Sequence, residues 1–329
     1  LLYRLQSEGL VLASAFKPFT TEVNGEQKAF SYGTLVLPVS LQKKSPQEVH
    51  EILLEAQQDL QVPAYPVQTG YHLKGIDLGS RYIQALEQPK AAMLIGEGVR
   101  SYEAGEVWHL LDTRVHMPIT KIPLRDFNGV DLGKYNTLVL VSGRYNLDEK
   151  QRERIKNWVS KGNTLIAIAG GARYAISQKW VKEEMVEEVK DSTKTVERKP
   201  YVDAPENIGK EQVGGVILKA ELDLTHPLAF GYQNKAIPVY KNNEVWLSPS
   251  KNAYSTVAKY AGDAHIDGFL SEKNREEFLG KSAPLLVSRL GRGRVVLFAD
   301  NPNFRGSWYG TNRLFLNALF LGEHIRVPE

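Results

Sequence analysis

Cysteine is absent from all 329 residues. That excludes disulfides, thiolate metal sites and a cysteine nucleophile, while leaving the compartment open, since a chain without thiols suits either redox environment. Long apolar runs are missing as well: no stretch approaches the roughly 18 residues of a membrane-spanning helix. Charge of one sign is also lacking. Lys+Arg 41 against Asp+Glu 38 leaves a formal +3, and the basic residues are scattered, without the stripe that marks a nucleic-acid surface. None of the seven histidines lies in a His-x-x-Glu or His-Glu-x-x-His pattern, so no zinc ligand set is legible in this chain.

What remains is a globular composition, 42% hydrophobic and 24% charged, in a chain long enough for a large core and two lobes. It opens on Leu1-Leu2-Tyr3-Arg4-Leu5 with neither Met nor a signal-peptide pattern. Those residues read as a helix entered in mid-element, and the expectation is a piece of a longer protein.

An N-terminal α/β lobe is expected over residues 1–88. Leu10–Phe16 and Gly33–Val39 suit strands. Ser45-Pro46-Gln47-Glu48 is a capping box with proline at the first helical position, and Val49, Ile52, Leu53, Ala56 and Leu60 follow at helical spacing. Val62–Val67 is a proline-broken extended piece suited to a sheet edge.

From residue 89 to 329 the pattern alternates. Ala91–Ile95, Ile119–Pro123, Thr137–Val141 and Thr164–Ala169 suit buried strands. Between them fall a helix capped by Ser101, with Ala104, Val107, Trp108 and Leu111 on one face, and a helix over Asp148–Lys161 stopped by Gly162. Such alternation predicts an α/β fold with a parallel, doubly wound, flavodoxin-like sheet. Residues 181–213 are rich in Lys, Glu and Val and read as an insertion, a surface helix followed by a loop. Val216–Leu218, Glu244–Leu247, Pro284–Val287 and Val295–Ala299 are further strands, and Leu314–Leu321 is a packed helix that closes the sheet with the strand before it.

The candidate site residues cluster after those strands, where open α/β sheets build their sites. Gly96-Glu97-Gly98-Val99-Arg100-Ser101 could hold an anion at a helix N-terminus. It departs from the dinucleotide fingerprint at Ser101, and Asp126 lies too far on to be the ribose partner. Glu97, Ser101, Tyr102 and Glu103 are therefore ligand-binding candidates, and Glu106 with His109 shares a helix face but lacks a third metal ligand. Ile168-Ala169-Gly170-Gly171-Ala172-Arg173 is a glycine turn leaving a buried strand, as at a nucleophile elbow. Gly170, Gly171 and Ala172 stand on the bend with no Ser, Cys or Thr, and Ser177 is too far along, which speaks against covalent catalysis. Gly170, Gly171 and Arg173 remain binding candidates. His226 before Pro227 fits a structural turn. The connection Asp300–Arg313 is dense in amides, guanidinium groups and rings, an odd content for a connector. Asn301, Asn303, Arg305, Trp308, Tyr309, Asn312 and Arg313 form either a pocket for a flat, carboxylated or hydroxylated ligand or a buried network tying the last helix to the sheet, with Arg305 stacked on Trp308.

Ile95–Asp112, Asp300–Gly306 and Trp308–Asn312, together with Asp77-Leu78-Gly79-Ser80 and Gly33–Pro38, resemble a region of long secreted zinc carboxypeptidase-like proteins of Bacteroidetes-type bacteria. In that family a carboxypeptidase A-like domain carries the zinc and the proteolysis, and the region resembling this chain lies C-terminal to it with a class I glutamine amidotransferase-like fold. The resemblance implies an accessory, exported module covalently attached to a metallopeptidase, with zinc confined to the parent's peptidase domain and no cofactor in this chain. It carries over no catalytic residue, because the amidotransferase cysteine has no counterpart here. Two other functions stay open: a stand-alone module binding a small molecule, peptide or glycan, and a hydrolase using Glu97, Glu103 or His109 as general base.

Overall fold

The computed structural model describes residues 1–188 and 198–328. The N-terminal region holds α1 (Leu2–Ser7), β1 (Leu12–Ala15), β2 (Phe19–Val23), β3 (Glu26–Phe30), β4 (Leu35–Val36), α2 (Pro46–Leu60), β5 (Lys74–Gly75) and β6 (Ile83–Leu86). The strands form two small antiparallel sheets, ordered β4-β1-β6 and β3-β2-β5. Helix α2 starts where its sequence dictates: Ser45 Oγ accepts from the Glu48 N–H while the Glu48 carboxylate accepts from the Ser45 N–H, satisfying two donors that a helix start would otherwise orphan. The strand expected over Gly33–Val39 shrinks to β4, and Val62–Val67 pairs with nothing; its two prolines lack the donors a ladder needs.

The second region contains β7 (Ala91–Ile95), α3 (Ser101–His109), β8 (Thr120–Pro123), β9 (Thr137–Leu140), α4 (Glu149–Ser160), β10 (Thr164–Ile168), α5 (Gly170–Ser177), α6 (Ala204–Glu211), β11 (Val216–Leu222), β12 (Ala236–Lys241), β13 (Thr256–Gly268), β14 (Leu285–Leu290), β15 (Gly293–Phe298) and α7 (Tyr309–Leu321). Its nine strands form one sheet in the order β12-β11-β13-β14-β15-β10-β9-β7-β8. Strands β15, β10, β9, β7 and β8 are parallel; β14, β13, β11 and β12 extend the sheet antiparallel. The fold is thus α/β, a doubly wound sheet with a parallel half and an antiparallel extension, beside a smaller N-terminal lobe.

Alternation along the parallel strands explains the two layers. Met93, Val139, Ile166, Ile168, Val296 and Phe298 join one core with α3 and α7. Leu94, Leu138, Leu140, Leu165, Ala167, Val295 and Leu297 join the other with α4 and α5. β7, β9, β10 and β15 are buried on both faces, which is why each reads as an apolar run, whereas the edge strand β8 exposes Thr120 and Lys121. The lobes meet through aromatic contacts: Phe16 lies edge-on to Phe230 at 5.5 Å, and Tyr32 stacks on the same ring at 5.6 Å.

Several expectations are corrected. β15 does not close the sheet; it sits at its centre, and β12 and β8 are the edges. Glu244–Leu247 is no strand. Val245, Trp246 and Leu247 are buried, but only Leu247 bridges, to Met185 and Ala283. In the 181–213 segment residues 181–188 are not helical, and a helix, α6, lies at Ala204–Glu211; the part of this segment at 189–197 lies outside the described residues. Trp108 leaves the apolar face of α3, 45% exposed beneath the Lys121 ammonium at 4.0 Å, and Leu110 is buried instead.

Candidate functional site

The parallel strands converge on one edge, and the turn after β10 is its centre. Here Ala169 takes φ 48° and ψ −110°, a left-handed conformation that costs an L-residue of order 1–3 kcal/mol. This is a nucleophile-elbow bend, a sharp strand-to-helix turn that thrusts one residue out of the strand end. The bend residue is Ala169, one position earlier than the Gly170–Ala172 expected from sequence. Its side chain is a methyl group, 2% exposed. Gly171 permits the bend, since a Cβ there would lie 2.3 Å from the Leu140 carbonyl oxygen.

Beside the bend, Ser142 follows β9. Its hydroxyl accepts from the Gly170 N–H at 2.9 Å, its own N–H donates to Glu103 Oε2 at 2.8 Å, and its carbonyl accepts from the Arg100 N–H. Ser142 thereby ties β7, β9 and β10 together, a role that a lone serine in Val141-Ser142-Gly143 does not announce. Ser101 is not the cap of α3: Arg100 holds the N-cap position without a side-chain bond, and Ser101 is the first helical residue. Glu103 is the residue that anchors this end of α3. Tyr145, buried beneath, donates to the Val141 carbonyl, and its hydroxyl is pushed well above the usual phenol range by burial and by Glu103.

The connection after β15 is a closed network. Asn301 Oδ1 accepts from the Asn303 N–H, and Asn312 Nδ2 reaches both the Pro302 carbonyl and Asn303 Oδ1. Thr311 Oγ1 donates to the Pro302 carbonyl at 2.7 Å. Glu106 clamps this loop to α3, accepting from Asn301 Nδ2 and from the Arg305 N–H at 2.6 Å. Burial raises the Glu106 carboxyl above its ordinary range, against the opposing pull of those two donors. Of the two sequence readings, the network is what Asn301, Asn303 and Asn312 build. Arg305 does not stack on Trp308; its guanidinium lies 5.2 Å from the Phe304 ring centre, and Trp308 instead leans on Tyr240 and donates to the Pro238 carbonyl. Tyr309 carries the Arg114 guanidinium over its ring at 4.2 Å, and Arg313 donates to the Gly231 carbonyl.

Sequence reasoning missed Lys241 and Tyr260, which bracket Asp300 at the end of β15. Lys241 is fully buried, donating to Asp300 Oδ1 at 3.0 Å and to the Val245 carbonyl at 2.7 Å, while Tyr260 donates to Asp300 Oδ2 at 2.7 Å. Burial pulls the Lys241 ammonium below its ordinary range while Asp300 pulls it back, and burial drives the Tyr260 hydroxyl far above its own. Both residues come from β12 and β13, so only tertiary pairing brings them to Asp300.

Glu97 and Tyr102 stay exposed, as does Arg173, which donates to the Glu244 carbonyl. His109 is exposed and lies against Gly306. Hence α3 and the connections after β9, β10 and β15 do meet, through bonds that Ser142, Glu103, Glu106, Asn301 and Asn312 make across them. The cavity against Asp300, Asn301 and Thr311 has a volume of ≈ 20 Å³, room for a single water. The larger cleft, ≈ 460 Å³, opens elsewhere, between Glu221, Asp223, Lys235 and Lys259 on the antiparallel half. Among the described residues no group of three His, Asp or Glu is placed to hold a metal.

No protein-family model matches the sequence, and no curated protein matches it significantly. Solved structures share the α/β fold. A ThuA-like protein from Parabacteroides merdae is 14% identical with a TM-score of 0.47, over 74% of this chain and 92% of that one. A GMP synthase-type protein from Thermoplasma acidophilum is 12% identical with a TM-score of 0.43, over 71% of this chain and 94% of that one. A β-galactosidase from Bacillus circulans sp. alkalophilus matches over 72% of this chain but 31% of its own length, at 14% identity and a TM-score of 0.40.

Proposed function

We propose that this chain is a non-catalytic amidotransferase-like module, attached as an accessory part to a larger exported zinc carboxypeptidase-like protein. The observation that carries the non-catalytic half is Ala169. The strained bend that would present a nucleophile is intact, yet the residue on it has no group able to attack a carbonyl. Glu103 and Glu106, the carboxylates nearest to serving as bases, are occupied by N–H donors from neighbouring loops. Zinc and proteolysis belong, on this reading, to the parent's separate peptidase domain.

The attachment rests on the resemblance of Ile95–Asp112 and Asp300–Asn312 to such proteins. An immunoblot of fractionated source cells, with antibody raised against this chain, tests it. A band far heavier than 36.9 kDa in the exported fraction is expected. A cytosolic band at this chain's own mass would sink the accessory-module reading while leaving the vacated elbow untouched.

A further inference from the structure

β12 is an edge strand whose alternation does not settle where along β11 it sits. Ile237, Val239 and Lys241 are buried against Ala220, Leu218 and Val216 of β11, while Ala236, Pro238 and Tyr240 occupy the alternate positions. A slip by one residue would turn the strand inside out; a slip by two keeps every residue on its face. Sliding β12 two residues forward would set Val239 against Val216 and Ile237 against Leu218, apolar pairs again. Lys235 would enter the place of Ile237, at the end of the strand where it already lines the ≈ 460 Å³ cleft, and its long side chain would carry the ammonium to water. The outer edge discriminates little. Pro238 has no N–H to give, and its carbonyl accepts a 3.3 Å bond from Trp308 that the Ala236 carbonyl would accept from the same place. Tyr240 stacks on Phe304 at 3.9 Å, but both rings are only half-buried.

Lys241 breaks the tie. It ends the inner row, fully buried, with its ammonium on Asp300 Oδ1 at 3.0 Å and on the Val245 carbonyl at 2.7 Å, and 4.1 Å from the centre of the Trp246 ring. Asp300 is itself buried, and its second oxygen accepts from the Tyr260 hydroxyl. Two residues of slip move a strand by about 6.7 Å, well beyond hydrogen-bond reach. A slipped β12 would therefore leave a carboxylate and an ammonium buried apart. Stranding a buried charge is far more costly than exchanging one apolar pair for another. Against the unfolded chain, where both charges are hydrated, the same pair gains little.

We propose that the buried Lys241–Asp300–Tyr260 cluster is a register lock, which adds little net stability and instead specifies which of two in-phase positions β12 takes. The choice bears on the strand-end edge. Residues 242–245 follow β12 directly and reach the elbow helix α5 through the Arg173 guanidinium on the Glu244 carbonyl, so a slipped strand would displace that contact. The inference is independent of the parent protein's identity and of whether the elbow does chemistry.

Disulfide trapping tests this, and the absence of native cysteine makes it clean. Glu221 and Ala236 face each other in the native register; after the forward slip Ala236 faces Lys219. Oxidation of the pair Glu221→Cys with Ala236→Cys therefore reads the native position, and Lys219→Cys with Ala236→Cys reads the slipped one. The second pair is diagonal in the native register, its Cβ atoms roughly 7 Å apart and too distant for a disulfide. In the wild-type background only the native pair is expected to close. The cluster is then made apolar as a whole by Lys241→Met, Tyr260→Phe and Asp300→Leu, the last with room in the ≈ 20 Å³ cavity beside Asp300. This triple variant is expected to melt at or above the wild-type temperature, while the slipped pair now closes to about a tenth of the native pair's yield, as for a populated minor state. Closure of the native pair alone in the triple variant would overturn the proposal, since the register would then be set elsewhere. So would closure of the slipped pair in the wild-type background. A triple variant that fails to fold, or melts well below the wild type, would overturn it too, by making the cluster a source of stability rather than of register.

Discussion

At the scale of the residue, Ala169 decides how the molecule is understood. A methyl at φ 48° has no steric advantage over glycine there, so the bend is maintained by its surroundings: the Ala169 N–H on the Phe298 carbonyl and the Gly170 N–H on Ser142. Ala169→Gly is expected to leave stability within about 1 kcal/mol, as relief of strain offsets the lost methyl and the gained chain entropy. Ala169→Val is expected to cost more than about 3 kcal/mol, because a branched side chain is intolerant of positive φ. Urea denaturation of the two variants separates them; equal losses would show that the bend is not strained. Glu106 offers a second test. Its folded-state carboxyl is raised by burial, so it contributes stability when protonated and loses it as pH rises through the raised value. Glu106→Gln should therefore show a smaller gain on acidification from neutral pH than the wild type. It should also lose about 1–3 kcal/mol at pH 7, since an amide can accept from only one of the two donors, Asn301 Nδ2 and the Arg305 N–H. A Gln variant as stable as the wild type at pH 7 would show that the clamp contributes nothing.

At the scale of the element, what was legible in the sequence followed from burial on both faces. Ala91–Ile95, Thr137–Leu140, Thr164–Ile168 and Val295–Phe298 are unbroken apolar runs, and each is a strand of the parallel half. The capping box of α2 was visible because it is local; the one that starts α4, where Asp148 accepts from the Gln151 N–H, was not read although the helix itself was. β12 and β13 were not visible. Pro238 interrupts the first and is tolerated only because β12 is an edge; irregular register with β11 spoils the alternation of the second. With those strands missed, Lys241 and Tyr260 could not be placed beside Asp300. Lys241→Met is expected to destabilise by about 3–5 kcal/mol, because it strands a buried carboxylate. A loss under about 1 kcal/mol would mean that Asp300 is not charged there. The elbow was mislocated for a similar reason, since a backbone dihedral has no signature in an alanine. His226 was read as a turn residue, and its Nδ1 accepts from the Leu228 N–H. Burial lowers its pKa to about 4, below the ~6.5 of an unfolded chain. The stability it provides is thus present above about pH 6.5 and lost as pH falls through 4. His226→Asn keeps an acceptor at that cap and should flatten this part of the acid limb; an unchanged limb would clear His226 of the role.

At the scale of the whole molecule, the chain is a doubly wound sheet whose strand-end edge has become a network of loops. The connection Asn301–Asn312, singled out by composition, contributes asparagines that face one another and a clamp to α3. The small N-terminal lobe is coupled to the sheet through Phe230. Phe230→Ala is expected to cost about 3–5 kcal/mol and to expose the first lobe to protease before the second; simultaneous cleavage of both would place the coupling elsewhere. The central claim is that an intact elbow carries no chemistry, and the most direct measurement is ammonia release from glutamine by the purified chain, compared with its Ala169→Gly variant. Rates for both at the no-protein baseline are predicted. Turnover above baseline that vanishes in the variant, or any clear turnover by the wild-type chain, would contradict it.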